Sequence, residues 1–191
     1  IPCRRAAAGL GNRRGSAPAA HERDCPGLEA AGLAGPGSVW HSPLSRAADS
    51  AAIISETFPG ALLDEAVELV DHIPYVPPLQ ERSPASAGFF DGCSEEEAAA
   101  GQETARRLVR RFGHAPGSGR RSTHELLITH AYPVAWLVCA ALEAPPRAWL
   151  SLTKIANTSL TIIEYADGEP PAVICVNDRS HLARRSGPCA P

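Results

Sequence analysis

Three side chains stand where a chain could hold a charged oxygen group. His130 closes the run His124-Glu-Leu-Leu-Ile-Thr-His130. Leu126, Leu127 and Ile128 make an apolar stretch too short for a helix, as in a parallel strand covered on both faces. A histidine leaving such a strand just before a helix sits where open α/β sheets bind ligands and where helix N–H groups favour anions. The chemistry this position suggests is phosphate binding; a loop histidine that caps a turn fits the same residues. Arg46 repeats the pattern, because Val39-Trp-His41 reads as a short strand, Ser42 as an N-cap and Pro43 as a first helical residue. An arginine there either faces the strand's end or is simply solvated. Asp71 and His72 open a proline-rich loop through Pro78, and such loops either hold acids over sites or are ordinary surface.

The elements that must position these side chains follow from the pattern on either side. Leu44, Ala47, Ala51 and Ile54 recur at helical spacing after Ser42, and Phe58-Pro-Gly60 ends that helix. Ala61-Leu-Leu63 reads as a short strand. Ser94-Glu-Glu-Glu97 matches a capping box for a helix running to about Phe112, with Ala98, Ala105, Leu108 and Phe112 inward and the Arg106–Arg111 charges on a solvated face. Gly113 to Ser122 reads as a flexible basic turn. Ala131-Tyr132-Pro133 turns the chain after His130. Val134 to Leu142 is then a helix apolar almost all round, hence buried, until Glu143-Ala-Pro-Pro146 stops it. Trp149-Leu-Ser-Leu152 is a docking turn. Ser159–Tyr165 and Pro171–Asn177 alternate about Asp167-Gly168, a hairpin signal. Sheet strands are therefore expected near 39–41, 61–63, 124–129, 159–165 and 171–177.

The chain's 191 residues suffice for one well-buried domain. A net charge of −3 gives no global pull toward nucleic acid, and the arginine clusters have no interleaved aromatics. No run of about 18 apolar residues exists, so no membrane partner is expected. Nor is there a charged-then-apolar signal pattern at the start. The seven histidines show no paired ligand spacing, so neither metal nor cofactor is expected. Six cysteines lie scattered without a CxxC pair; Cys139 and Cys175 fall in apolar runs and read as core, which suits a reducing cytoplasm. There is no methionine, and Lys154 is the one lysine against 17 arginines, the bias expected of GC-rich coding. A start other than methionine fits a fragment or an unusual gene model.

Residues 2–38 differ from the rest. Alanine, glycine and proline make up about half of them, and between Pro2 and Ser38 there is no Val, Ile, Thr, Phe, Tyr or Trp. With Leu10, Leu28 and Leu33 as the only large aliphatics, no strand is expected here and the stretch reads as irregular and mobile. The organisation expected is thus an irregular or degenerate segment 1–38, a domain 39–182 and a flexible tail 183–191.

Three stretches of that domain resemble the histidine phosphatase, or phosphoglycerate-mutase-like, superfamily. Ser42-Pro-Leu-Ser-Arg46-Ala resembles its SSPLxRA helix start, Ile128-Thr-His130-Ala its second histidine motif, and Asn157-Thr-Ser-Leu-Thr-Ile-Ile with Val176-Asn-Asp178 to His181-Leu182 its usual ending. Leu63 through Ile73-Pro74 and Ala144-Pro-Pro-Arg-Ala-Trp149 are most similar to the branch of mitochondrial phosphoglycerate-mutase-like Ser/Thr protein phosphatases and their bacterial relatives. The resemblance implies a three-layer α/β/α fold with a mostly parallel central sheet, whose N-terminal strand is here missing or degenerate. It implies hydrolysis of a phosphomonoester, on a small molecule or a phosphoprotein, through a phosphohistidine. Arg46 stands at the family's second arginine and His130 at its second histidine, both neutralising phosphoryl oxygens. Asp71 stands where the family usually carries the glutamate that protonates the leaving oxygen, with a shorter reach.

The nucleophile's motif, Arg-His-Gly, does not occur. Its nearest counterpart, Arg13-Arg14-Gly15, puts at the nucleophile's place a side chain that stays protonated and cannot attack phosphorus. Leu28 to Ser42 also leaves no room for the family's first helix. The expectation is a family phosphohydrolase impaired by loss of its nucleophilic histidine. The alternatives are a non-catalytic phosphate-binding relative or an incomplete gene product.

Overall fold

The computed structural model describes residues 3–10, 35–116 and 123–183. Six strands form one sheet: β1 (Cys3–Leu10), β2 (Ser38–His41), β3 (Leu62–Glu65), β4 (His124–His130), β5 (Ser159–Tyr165) and β6 (Ala172–Asp178). Their spatial order is β3-β2-β4-β1-β5-β6. β3, β2, β4 and β1 run parallel; β5 is antiparallel to β1, and β6 to β5. The sheet is therefore mostly parallel, and its five expected strands lie within a residue or two of their expected bounds.

β1 corrects the reading of residues 2–38 as strandless. It fills the slot between β4 and β5, with Arg4 level with His124 and Leu10 level with His130 on one side, and Cys3 level with Tyr165 on the other. Alanine and glycine are poor strand formers, but strand propensity mostly reports fit to neighbours. Two facing ladders offer a backbone partners on both sides, and an unpaired buried peptide group costs more than a weak propensity gains. The N-terminal strand is thus present, and the domain begins before residue 39. Residues 11–34, with Arg13-Arg14-Gly15, lie outside the described residues, as do 184–191.

Among the described residues five helices accompany the sheet: α1 (Ser45–Ser55), α2 (Pro84–Ala87), α3 (Glu95–Phe112), α4 (Ala131–Ala141) and α5 (Ser180–Ala183). The last is a single turn that closes the expected domain and reaches one residue into the expected tail 183–191. Because side chains alternate along a strand, β4 feeds two cores. Leu127 packs with Leu108, Phe112, Val134, Leu137 and Val138 of α3 and α4. Leu126 and Ile128 pack with Ala47 and Ala51 of α1, together with Val39 and Ile162. These are the two outer layers of an α/β/α arrangement. α4 is buried nearly all round, as its composition requires. A third cluster joins Phe90, Ala135, Cys139 and Trp149 beneath the loop after Asp71. The Trp149 indole N–H donates to the Tyr75 carbonyl at 2.9 Å, so the Trp149 turn docks as expected and anchors that loop.

The capping box forms: Ser94 Oγ accepts from the Glu97 N–H, and the Glu97 carboxylate from the Ser94 N–H. Arg106 and Arg110 meet Glu103 on the exposed face. Arg111 departs from the solvated reading. It pairs with Glu68 at 2.8 Å and lies over the Trp40 ring, 4.6 Å from its centroid. The inward stripe of α3 includes Gly101, where a Cβ would fall 2.2 Å from the Ile73 carbonyl oxygen. Gly101→Ala should therefore destabilise the fold. Helix propensity favours alanine by about 1 kcal/mol, but backbone cannot yield as a side chain tip can, and overpacking of this kind costs about 1–3 kcal/mol net. Urea melts check this; an unchanged midpoint would mean that α3 and the Asp71 loop do not touch there.

Candidate functional site

In a parallel sheet the strand C-termini share one edge, and here that edge collects the polar side chains. His130 ends β4 and occupies the N-cap position of α4. It is 1% exposed. Ser42, fully buried, follows β2; its N–H donates to the Ile128 carbonyl at 2.9 Å, which ties the two strand ends together. Arg46 is the second residue of α1. Asp71 follows the 3-10 turn Val67–Leu69, which Thr129 of β4 secures by donating its hydroxyl to the Leu69 carbonyl at 2.7 Å. β4 thus places the imidazole directly and the acid's loop indirectly.

Arg46 Nη2 lies 3.1 Å from His130 Nδ1 and 3.5 Å from Asp71 Oδ2. The three sequence candidates meet. A guanidinium only donates, so Nδ1 of His130 accepts and the ring proton sits on Nε2. That proton is donated to Ser42 Oγ at 2.9 Å. The same oxygen accepts the Leu44 N–H at 3.3 Å. Ser42 was expected to cap the helix. The cap position belongs to Leu44 instead, without a side-chain cap, and α1 starts at Ser45. The reason is local: the buried imidazole needs an acceptor, and Ser42 is the strand-end residue facing it. In the sequence nothing separates this role from that of a helix cap, because His130 lies 88 residues away.

Burial dominates the electrostatics. It pushes the His130 pKa down, with help from the Arg46 and His72 charges, from 6.5 to about 4. His130 is therefore neutral at pH 7. Asp71 moves the other way: burial raises its pKa from 3.8 even though Arg46 opposes this. His72, beside it, donates Nδ1–H to the Val70 carbonyl at 2.7 Å, and burial lowers its pKa. Its Nε2 is buried without a partner. Tyr132, in the first turn of α4, has its phenol pKa raised by burial and by the Asp71 charge.

The His130 shift predicts a pH effect on stability. Between about 4 and 6.5 the unfolded chain binds a proton at this ring that the folded chain does not. Stability should thus be full above 6.5 and fall as the pH drops through that window, by on the order of 3 kcal/mol from this group. Asp71, with a raised pKa, contributes in the opposite sense: its share is full at low pH and is lost as the pH rises. His130→Gln should flatten the descent below pH 6.5 in urea melts; a slope equal to that of the parent would remove His130 as its source.

Fold and edge together define an α/β domain with Arg46, His130 and Asp71 gathered at its parallel strand ends. The sequence profile of the histidine phosphatase superfamily (branch 1) matches residues 29–179, and the chain belongs to that superfamily. It is 29% identical over 144 residues to the mitochondrial serine/threonine-protein phosphatase Pgam5 of Caenorhabditis briggsae, covering 74% of this chain and 48% of that protein. Its identity to the human counterpart is 29% over 126 residues, covering 64% of this chain and 40% of the relative. The chain thus spans about half or less of the length of these relatives. Among solved structures it is similar to YhfR of Bacillus stearothermophilus, with a TM-score of 0.59, 18% identity and coverage of 94% of this chain and 99% of that one. It is also similar to a phosphoglycerate mutase of Plasmodium falciparum, with a TM-score of 0.56, 16% identity and coverage of 90% and 89%. These structures share its fold.

Proposed function

We propose that this domain handles the phosphoryl group of a phosphomonoester, free or carried on a protein, with Arg46, His130 and Asp71 as its site, and that turnover through a phosphohistidine is impaired. The convergence of these three side chains at one sheet edge carries the reading.

Arg46 supplies the permanent positive charge and a planar fork that matches phosphate oxygens. His130 and the first-turn N–H groups of α4, which have no intrahelical partners, add donors on the same side. Without ligand Arg46 donates to His130 and approaches Asp71. A phosphate dianion competes for those donors. Once Arg46 turns to phosphate, Nδ1 of His130 is free to take a proton and donate as well, since an adjacent anion favours the charged imidazole. Asp71, held toward its protonated form by burial, suits the acid that gives a proton to the leaving oxygen. In the complete cycle an imidazole nitrogen bonds to phosphorus as the phosphorus–oxygen bond to the leaving group breaks, and Asp71 protonates that oxygen. No Arg-His-Gly occurs in the sequence to supply that imidazole.

Calorimetric titration with inorganic phosphate at pH 7 tests the proposal. Binding with net proton uptake, read from the dependence of the heat on buffer ionisation, is expected. No detectable binding at millimolar phosphate would overturn it.

A further inference from the structure

The phosphoryl site accounts for Arg46, His130 and Asp71 but leaves a cluster of aromatic rings beside it without a role. Tyr132 lies two residues beyond His130, so it stands over the same sheet edge. Its ring packs edge-to-face against Phe89, with centroids 5.9 Å apart at 71°, and against Trp149 at 5.2 Å. Phe89 also meets Phe90 edge-to-face at 5.0 Å. Yet Phe89 remains 42% exposed, and Tyr132 is only half-buried. Phe89 also meets Trp149 at 6.0 Å; burying a phenylalanine ring gains roughly 2 kcal/mol, so a ring positioned by three aromatic neighbours and left open offers a surface for a further contact.

This cluster is joined to the acid's loop. Ile73 and Tyr75 pack on it, and the Trp149 indole holds the Tyr75 carbonyl, four residues after Asp71. The Tyr132 phenol feels the Asp71 charge. The loop that carries Asp71 therefore runs from the Arg46 cation, 3.5 Å from the carboxylate, to the packed rings around Trp149.

We propose that the corner between Phe89 and Tyr132 is the leaving-group subsite, and that it selects aryl phosphomonoesters over alkyl ones. This deepens the phosphoryl reading and rests on it. Two rings set near a right angle offer one face and one edge, which lets a third ring stack on the first while meeting the second edge-on. An alkyl chain gains area there but no such geometry. On a protein, the aryl phosphomonoester is phosphotyrosine. The relatives matched in sequence are named serine/threonine-protein phosphatases, so the rim sets this chain's preference apart from those names.

The test uses ligands that need no turnover. Benzylphosphonate and n-butylphosphonate are titrated into the purified chain, with phosphotyrosine and phosphoserine as their N-acetyl amides in a second arm. Benzylphosphonate should bind about 10-fold tighter than n-butylphosphonate, and phosphotyrosine tighter than phosphoserine. A preference in the first arm without the second would confine the subsite to small aryl phosphates and exclude the protein-borne form. Phe89→Ala should erase the difference between benzyl and butyl. Phe89→Leu, which keeps the volume, should erase most of it and guards against misfolding of the smaller variant. Equal binding of both phosphonates by the unaltered chain overturns the subsite and leaves the phosphoryl site standing. Binding of neither overturns both.

Discussion

Arg46→Gln should weaken inorganic phosphate binding by roughly 10- to 100-fold, the equivalent of one to two charge-assisted hydrogen bonds. Its guanidinium is the cation that the described residues place against His130 and Asp71. Glutamine keeps much of the length and one donor pair, so what is lost is charge and the fork. Two consequences add in the same direction, and a third opposes them. Phosphate loses its counter-charge. The Asp71 carboxylate, when ionised, then faces the anion without its partner. His130 loses a donor at Nδ1, which favours its protonation and partly offsets the loss, since Arg46 is among the charges that hold its pKa down. Arg46→Lys should fall between the two, because a point charge replaces bidentate recognition. Titration at pH 7 and low salt reads the effect. An affinity within about twofold of the parent would show that the phosphoryl group binds elsewhere.

Much of this architecture could be read from residues alone, and the reasons are physical. β4 and α4 declare themselves because a strand buried on both faces and a helix buried nearly all round cannot hide their composition: Leu126–Ile128 and most of 134–141 have nowhere else to go. The hairpin is local, since Gly168 takes φ 77° between β5 and β6. α3 carries its own start signal in Ser94 and Glu97. β1 is the opposite case. Nothing in Cys-Arg-Arg-Ala-Ala-Ala-Gly-Leu asks for a strand, and the demand comes from β4 and β5, more than a hundred residues away. Gly101 is likewise set by a distant carbonyl, that of Ile73. Arg111 looked like one more surface charge because Glu68 and Trp40 are remote in sequence. In the site, residue types and the strand-then-helix context gave Arg46 and His130. Ser42 was misassigned because a serine before Pro-Leu satisfies the rule for a helix cap and the need of a buried imidazole equally well, and only the fold decides between them.

The parent chain should turn over an aryl phosphate no faster than a His130→Ala control, and an intact strand–Arg-His-Gly–helix segment from an active family member, grafted in place of residues 1–38, should raise turnover by on the order of 10⁴-fold or more. The argument begins with what His130 can do. Its Nε2 proton goes to Ser42 and its Nδ1 faces Arg46, so both ring nitrogens already have partners flanking the anion site. A nucleophile must instead point at phosphorus in line with the leaving oxygen, and misplacement by about 1 Å already costs on the order of 100-fold. Covalent catalysis splits one hard displacement into two easier ones, so removing the attacking group costs far more than removing one stabilising donor. The graft is structurally reasonable because β1 already occupies the slot between β4 and β5, and its last residue, Leu10, is level with His130. A strand of the same register would release its following residues at the edge where Arg46 and His130 wait. Asp71→Asn in the grafted protein should then lower turnover of an alkyl phosphate more than that of a nitrophenyl phosphate, because a poor leaving group needs the proton and a good one does not. Robust turnover by the parent, with a phosphohistidine trapped by acid quench, would show that its own sequence supplies the nucleophile. A folded graft that stays inactive would show that Arg46, His130 and Asp71 do not make up the rest of the machinery.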